Sequence, residues 1–201
     1  GFNINEATDV LLKRDFDKYR AIGEPHPFLV ANGREFLIPF MHEHFELWTQ
    51  SLHFGAKDRL NFVDPKTNLK IGGGLDDVWL NINTNCLHIV DYKSTSQKSD
   101  KGPITLDDHW KASYKRQMDL YVWVLRKKGF HVDDVGYFLY CDGDRFSNYE
   151  FLSSTMASMN FKMTLIDYQT NDSWIEPTLN EISVCLRESA RPDHSEYCEY
   201  G

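Results

Sequence analysis

Gly72-Gly73-Gly74-Leu75-Asp76-Asp77-Val78-Trp79 and, further along, Ile89-Val90-Asp91-Tyr92-Lys93 decide how this chain is read. Each sets an acid against an apolar run of the kind that forms a buried strand. On a strand, residues i and i+2 share a face, so Asp91 and Lys93 point one way and Tyr92 the other. If the neighbouring strand supplies Asp76, two carboxylates and one ammonium converge. Hard oxygen donors beside an amine are what a divalent cation and a water attacking a phosphodiester require. Alternation lets only one of Asp76 and Asp77 face that point.

Outward from these stretches the pattern stays regular. A strand over about 74–82 and another over 86–94 are joined by Asn83-Thr84-Asn85, which reads as a hairpin turn. Upstream, Leu60–Val63 and Leu69–Ile71 read as extended around a turn at Asp64–Asn68. Residues 34–50 are ambiguous, with Pro39 interrupting and 45–48 a candidate short helix. Residues 5–21 carry apolar side chains at Ala7, Val10, Leu11, Phe16 and Tyr19 among charges, an amphipathic helix with Asn5 or Thr8 as cap. Downstream, Thr105-Leu106-Asp107-Asp108 opens a helix over 108–128, with Trp110, Tyr114, Met118, Tyr121, Val122 and Leu125 on one side and Gly129 as the stop. Val135–Tyr140 is a continuous apolar strand, 159–168 another strand and 173–187 a last helix. A strand, a long helix and a buried strand in succession predict a crossover. The fold is therefore α/β: a mixed sheet, part of it parallel, with helices on both sides.

The 201 residues suit a single domain over 1–201, and 41% hydrophobic with 14% aromatic content is ordinary globular usage. No apolar run reaches the roughly 20 residues that span a bilayer. The first residue is Gly rather than Met, which reads as a trimmed start, and no secretory signal is visible. Cys86, Cys141, Cys185 and Cys198 show no paired spacing, so free thiols in a reducing, cytoplasmic setting are expected. A net charge of −8 argues against a broad basic footprint for nucleic acid. Local clusters remain as candidates: Lys111, Lys115 and Arg116; Arg126, Lys127 and Lys128; Lys13 and Arg14.

Gly-Leu-Asp76-Asp-Val, then Ile-Val-Asp91-Tyr-Lys93-Ser-Thr, then Gln117-Met-Asp-Leu-Tyr121 together resemble the PD-(D/E)xK nuclease superfamily, and within it the RecB-type branch that includes the CRISPR-associated RecB-like exonucleases. The three elements stand in the family's order over residues 72–121. The resemblance implies a restriction-endonuclease-like sheet with an αβββαβ core and Mg²⁺- or Mn²⁺-dependent hydrolysis of DNA, on single strands or ends. Carried over by position, Asp76 and Asp91 are metal ligands, with the Tyr92 carbonyl as a third oxygen. Lys93 orients the water or offsets charge on the phosphorane. Gln117 stands near the acids; Tyr121, with Lys115 and Arg116, stands near the nucleic-acid strand. The match picks Asp76 over Asp77, which leaves Asp77 as a solvent-facing acid.

The chain also departs from the pattern. The branch commonly places a histidine on the first helix, and Asp9 stands there instead, able to ligate a hard cation. The branch often carries a four-cysteine iron–sulfur cluster; here the upstream cysteine is absent and Cys198-Glu-Tyr-Gly201 is half of a C-x-x-C, so a cluster belongs only to a longer natural form. His42, His44 and His53 offer a weak zinc alternative with no third ligand at a familiar spacing, and His88 faces away from Asp91. Loop 94–105 can line a substrate channel, and Trp48, Trp79 or Trp110 can stack bases. Two rivals follow: a nucleic-acid-binding module that kept the fold and lost catalysis, and a partner-binding subunit whose acids merely hold Ca²⁺.

Overall fold

In the computed structural model, residues 3–50, 59–97, 102–189 and 193 are described. The hairpin forms from β4 (Asp77–Asn81) and β5 (Cys86–Thr95), paired antiparallel from Asp77↔Val90 to Asn81↔Cys86. Asn81 Oδ1 accepts from the Asn83 and Thr84 amides, and Asn85 closes the turn at φ 56°, a left-handed conformation that asparagine tolerates. The chain then crosses through a 3₁₀ turn (His109–Lys111) and α4 (Ala112–Lys127) into β6 (Val135–Gly143), parallel to β5 from Val90↔Tyr137 to Thr95↔Asp142. A parallel pair needs such a crossover, because a tight turn can only reverse the chain. β7 (Phe161–Gln169) returns antiparallel to β6, and β1 (Leu37–Pro39) pairs with β4 on the far edge. The sheet order is β1-β4-β5-β6-β7, a mixed α/β sheet.

Strand alternation splits the core in two. Val78, Ile89, Phe138 and Tyr140 face α4, where Met118, Tyr121, Val122 and Leu125 meet them, with Ile175 and Leu179 of α5 (Ile175–Cys185). On the opposite face Trp79, Val90, Tyr92 and Leu139 receive Phe16 of α1 (Asn3–Ile22) and Leu29 of α2 (Pro27–Ala31). Two short strands, β2 (Asn61–Val63) and β3 (Lys70–Gly72), make a separate small sheet against α4.

Several boundaries move from the sequence reading. The strand expected from 74 starts at Asp77, because Gly73 N donates to the Leu60 carbonyl and Leu75 N to that of Trp48. Those bonds turn the backbone away from β5 just where Asp76 sits. The ambiguous 34–50 stretch resolves into β1 and α3 (Phe45–Trp48). Asn5 and Thr8 lie inside α1 rather than capping it, and Thr8 shares a 2.5 Å hydroxyl hydrogen bond with Ser94 at the end of β5. Among the described residues no helix is long and apolar enough to cross a membrane.

Candidate active site

β5 runs on to Thr95 while β4 begins only at Asp77, so beyond Val90 the β4-side edge of β5 is open. There the Tyr92 amide donates to Asp76 Oδ2 at 2.8 Å. A strand residue turns its N–H and C=O to the same edge, so the Tyr92 carbonyl faces that opening too. Asp91 and Lys93 stand on the α4 face. The Lys93 ammonium is in ion-pair contact with Asp91 Oδ2 and lies 4.5 Å from the centre of the Tyr114 ring. Asp91 Oδ2 is buried, with the Lys93 ammonium as its charged neighbour. From α1, Lys13 Nζ comes within 3.6 Å of Asp76 Oδ1 and 3.0 Å of Asp9 Oδ2.

Burial sets the electrostatics here. It pushes the Asp91 carboxyl up to about 7; Lys93 pulls the other way and neighbouring Asp76 adds to the rise. Burial raises Asp76 as well, against Lys13, with Asp9 reinforcing the rise. For Lys13 burial works downward, but the combined pull of Asp76 and Asp9 leaves its ammonium strengthened. Two buried carboxyls held toward their neutral forms can take more positive charge than the two lysines supply.

Gln117 and Tyr121 come to the site together. Gln117 Nε2 donates to the Tyr121 hydroxyl at 3.0 Å, and burial, with the Asp91 and Asp76 charges, keeps that phenol protonated. The glycine run explains how the Asp76 loop closes over this ring: a Cβ on Gly73 would fall 2.6 Å from the Tyr121 hydroxyl. The Tyr121 side chain is buried. Lys115 is half-buried and Arg116 exposed on α4, neither in an ion pair among the described residues.

Other expectations are corrected. Asp77 does not face solvent: it is 0% exposed and accepts from Arg20 Nη2 at 2.5 Å, Tyr92 Oη at 2.7 Å, Trp79 Nε1 at 3.2 Å and its neighbour's amide. Alternation places it with Trp79 under α1, where Arg20 arrives as its counter-ion. Asp9 reaches the acids through the Lys13 ammonium, which pairs with both Asp9 and Asp76. Trp48 and Trp79 are core residues; Trp110 is exposed. Arg126 is tied to Asp134 and Asp172, Lys127 to Glu176, and Lys111 is buried against Asp108. His42 stacks on Trp48, His44 stands at the start of α3, and His53 lies outside the described residues. His88 faces away from Asp91 as expected, bonded to the Val135 carbonyl at 2.8 Å. Cys185 is an exposed free thiol, and Cys198 lies outside the described residues.

Sequence reasoning missed Arg20, Tyr114 and Tyr140, and gave Lys13 no place at the acids. A signal existed for Arg20. Thr8, Leu12, Phe16 and Arg20 recur at intervals of four, so a guanidinium stands in the apolar stripe of α1 and calls for a buried carboxylate.

Among the described residues no group of three or more His, Cys, Asp or Glu side chains could hold a metal ion. What the site offers is a carboxylate pair, one of them paired with Lys93, and a main-chain carbonyl. That set fits a hard cation of the Mg²⁺ kind, which keeps waters and takes phosphate oxygens, and does not fit structural zinc.

Fold and site thus define a mixed α/β protein with two acids and a lysine at the open end of a sheet hairpin. A family model of the PD-(D/E)XK nuclease superfamily matches residues 11–200. The chain belongs to that superfamily, whose nucleases act on nucleic acid and generally use divalent metals such as Mg²⁺. Asp9 precedes the matched span. No curated protein and no solved structure matched the chain significantly.

Proposed function

We propose that the chain is a Mg²⁺- or Mn²⁺-dependent deoxyribonuclease of RecB type that cleaves single strands or DNA ends. The observation that carries this reading is the convergence of Asp76, Asp91 and Lys93 where the Tyr92 carbonyl meets an open strand edge. Asp76, Asp91 and that carbonyl would hold the cation, which when bound supplies positive charge against the phosphate and a more acidic water. Lys93 donates hydrogen bonds to the attacking water and to the phosphate oxygens on which charge builds. Its position over the Tyr114 ring keeps the ammonium aimed along the α4 face. Gln117 holds the Tyr121 hydroxyl in place, and that ring supports the loop that presents Asp76.

The test is Mn²⁺-dependent cleavage of a labelled single-stranded oligonucleotide. Lys93→Ala should slow it by about 100-fold or more while leaving thermal unfolding near that of the parent. A Lys93→Ala protein as fast as the parent refutes the role. Asp76→Asn should abolish Mn²⁺ binding by calorimetry; undiminished affinity would place the metal elsewhere.

One observation favours a second reading, a nucleic-acid-binding module with weakened catalysis: α1 brings an ammonium, not a histidine, to Asp76. Strand binding without Mn²⁺-dependent turnover would select it.

A further inference from the structure

Beyond Lys93 the α4 face of the sheet opens into a cavity of about 250 Å³, walled by Thr95, Asp108, Trp110, Lys111, Tyr140 and Arg145. Three features mark it as built to receive something. Tyr140, the register partner of Lys93 on β6, is 2% exposed, and its hydroxyl has no hydrogen-bond partner among the described residues. An unpaired buried hydroxyl is costly unless a ligand or water takes its bond. Trp110 is 57% exposed and stands edge-on to Tyr114 at 5.5 Å, the ring over which Lys93 sits. The aromatic run therefore leads outward from the catalytic amine. In the same wall, Arg145 packs on the Phe146 ring at 4.9 Å and makes no ion pair among the described residues. Lys111 and Asp108 pair with one another at 2.9 Å.

A planar ring to stack on, an exposed guanidinium and a buried hydroxyl suit a nucleotide: π-face, phosphate and base edge in turn. A base inside a duplex is stacked and paired, and must be extruded before it can enter so small a space. We propose that this cavity is a subsite for one unpaired nucleotide of the substrate strand, its base on Trp110 and its phosphate at Arg145. The inference rests on the nuclease reading for the position of the scissile bond.

The test is fluorescence anisotropy of a labelled oligothymidylate in EDTA, where no cleavage occurs. Trp110→Ala should weaken binding about tenfold, and Trp110→Phe, which keeps a stacking ring, should restore most of the loss. Arg145→Gln should lower the slope of log affinity against log salt by about one. Parent-like affinity in Trp110→Ala overturns the subsite, and so does an equal loss on a blunt duplex. The chemistry is read apart from this, with Mn²⁺ and bis(p-nitrophenyl) phosphate, a diester without a base, on the parent and on Lys93→Ala. Turnover that depends on Lys93 upholds the active site even if Trp110 proves irrelevant. No turnover with Trp110-dependent binding upholds the subsite and sinks the nuclease.

Discussion

At the residue scale the contrast between neighbours Asp76 and Asp77 organises the site. Asp77 is wholly buried and satisfied by four donors, while Asp76 takes one amide and the edge of a lysine. Removing the first should damage the fold. Asp77→Ala removes the buried counter-ion of Arg20, leaving it only the exposed Asp17, and should cost about 3 kcal/mol in urea unfolding. Asp91 behaves oppositely. Its carboxyl rises from 3.8 to about 7 on folding, so between those values the folded chain holds a proton the unfolded chain has lost. That contribution to stability is complete at the acid end of the window and disappears as pH rises through about 7. The metal-free protein should therefore melt lower at about pH 8 than at about pH 5, and Asp91→Asn should flatten the dependence, as thermal denaturation across pH will show.

At the element scale the site depends on where β4 stops. Gly73 lets the loop before β4 fold onto Tyr121 of α4, and the same loop delivers Asp76 to the β5 edge. Gly73→Ala has no room for its methyl without moving Tyr121, and should cost about 1–3 kcal/mol of stability. Turnover should fall with it, because Gln117 and Asp76 lose a shared support; comparing urea midpoints with single-turnover rates separates the two effects. The helices were readable from the 3.6 periodicity, and α4 with the buried β6 run foretold the parallel crossover. Strand ends were less readable. Tertiary hydrogen bonds from Leu60 and Trp48 cut β4 short, and nothing in the local sequence announces those partners.

Across the whole molecule, a net charge of −8 coexists with Lys13 and Lys93 held beside Asp76 and Asp91. Arg126 and Lys127, which composition alone offers as phosphate contacts, are consumed by ion pairs to Asp134, Asp172 and Glu176. Divalent binding should register globally, since a ligand held only by the folded state stabilises it. Mn²⁺ at about 100 times its dissociation constant should add about 2.7 kcal/mol, and EDTA should reverse it. Asp76→Asn should abolish the shift, a comparison that differential scanning fluorimetry makes directly.

The amino-acid order by itself determined the α/β class, the D-Y-K strand, the glycine-rich approach to Asp76 and the Gln117–Tyr121 helix face, because each is a local periodicity or a short spacing. Only tertiary structure decided which of two adjacent acids would be buried, that Lys13 would reach Asp76 while Asp9 pairs with it, and that Trp110, Tyr140 and Arg145 would share a cavity. Those outcomes turn on which side of the sheet α1 and α4 cover. Side-chain partners brought from distant segments have no signature in the residues that lie next to one another along the chain.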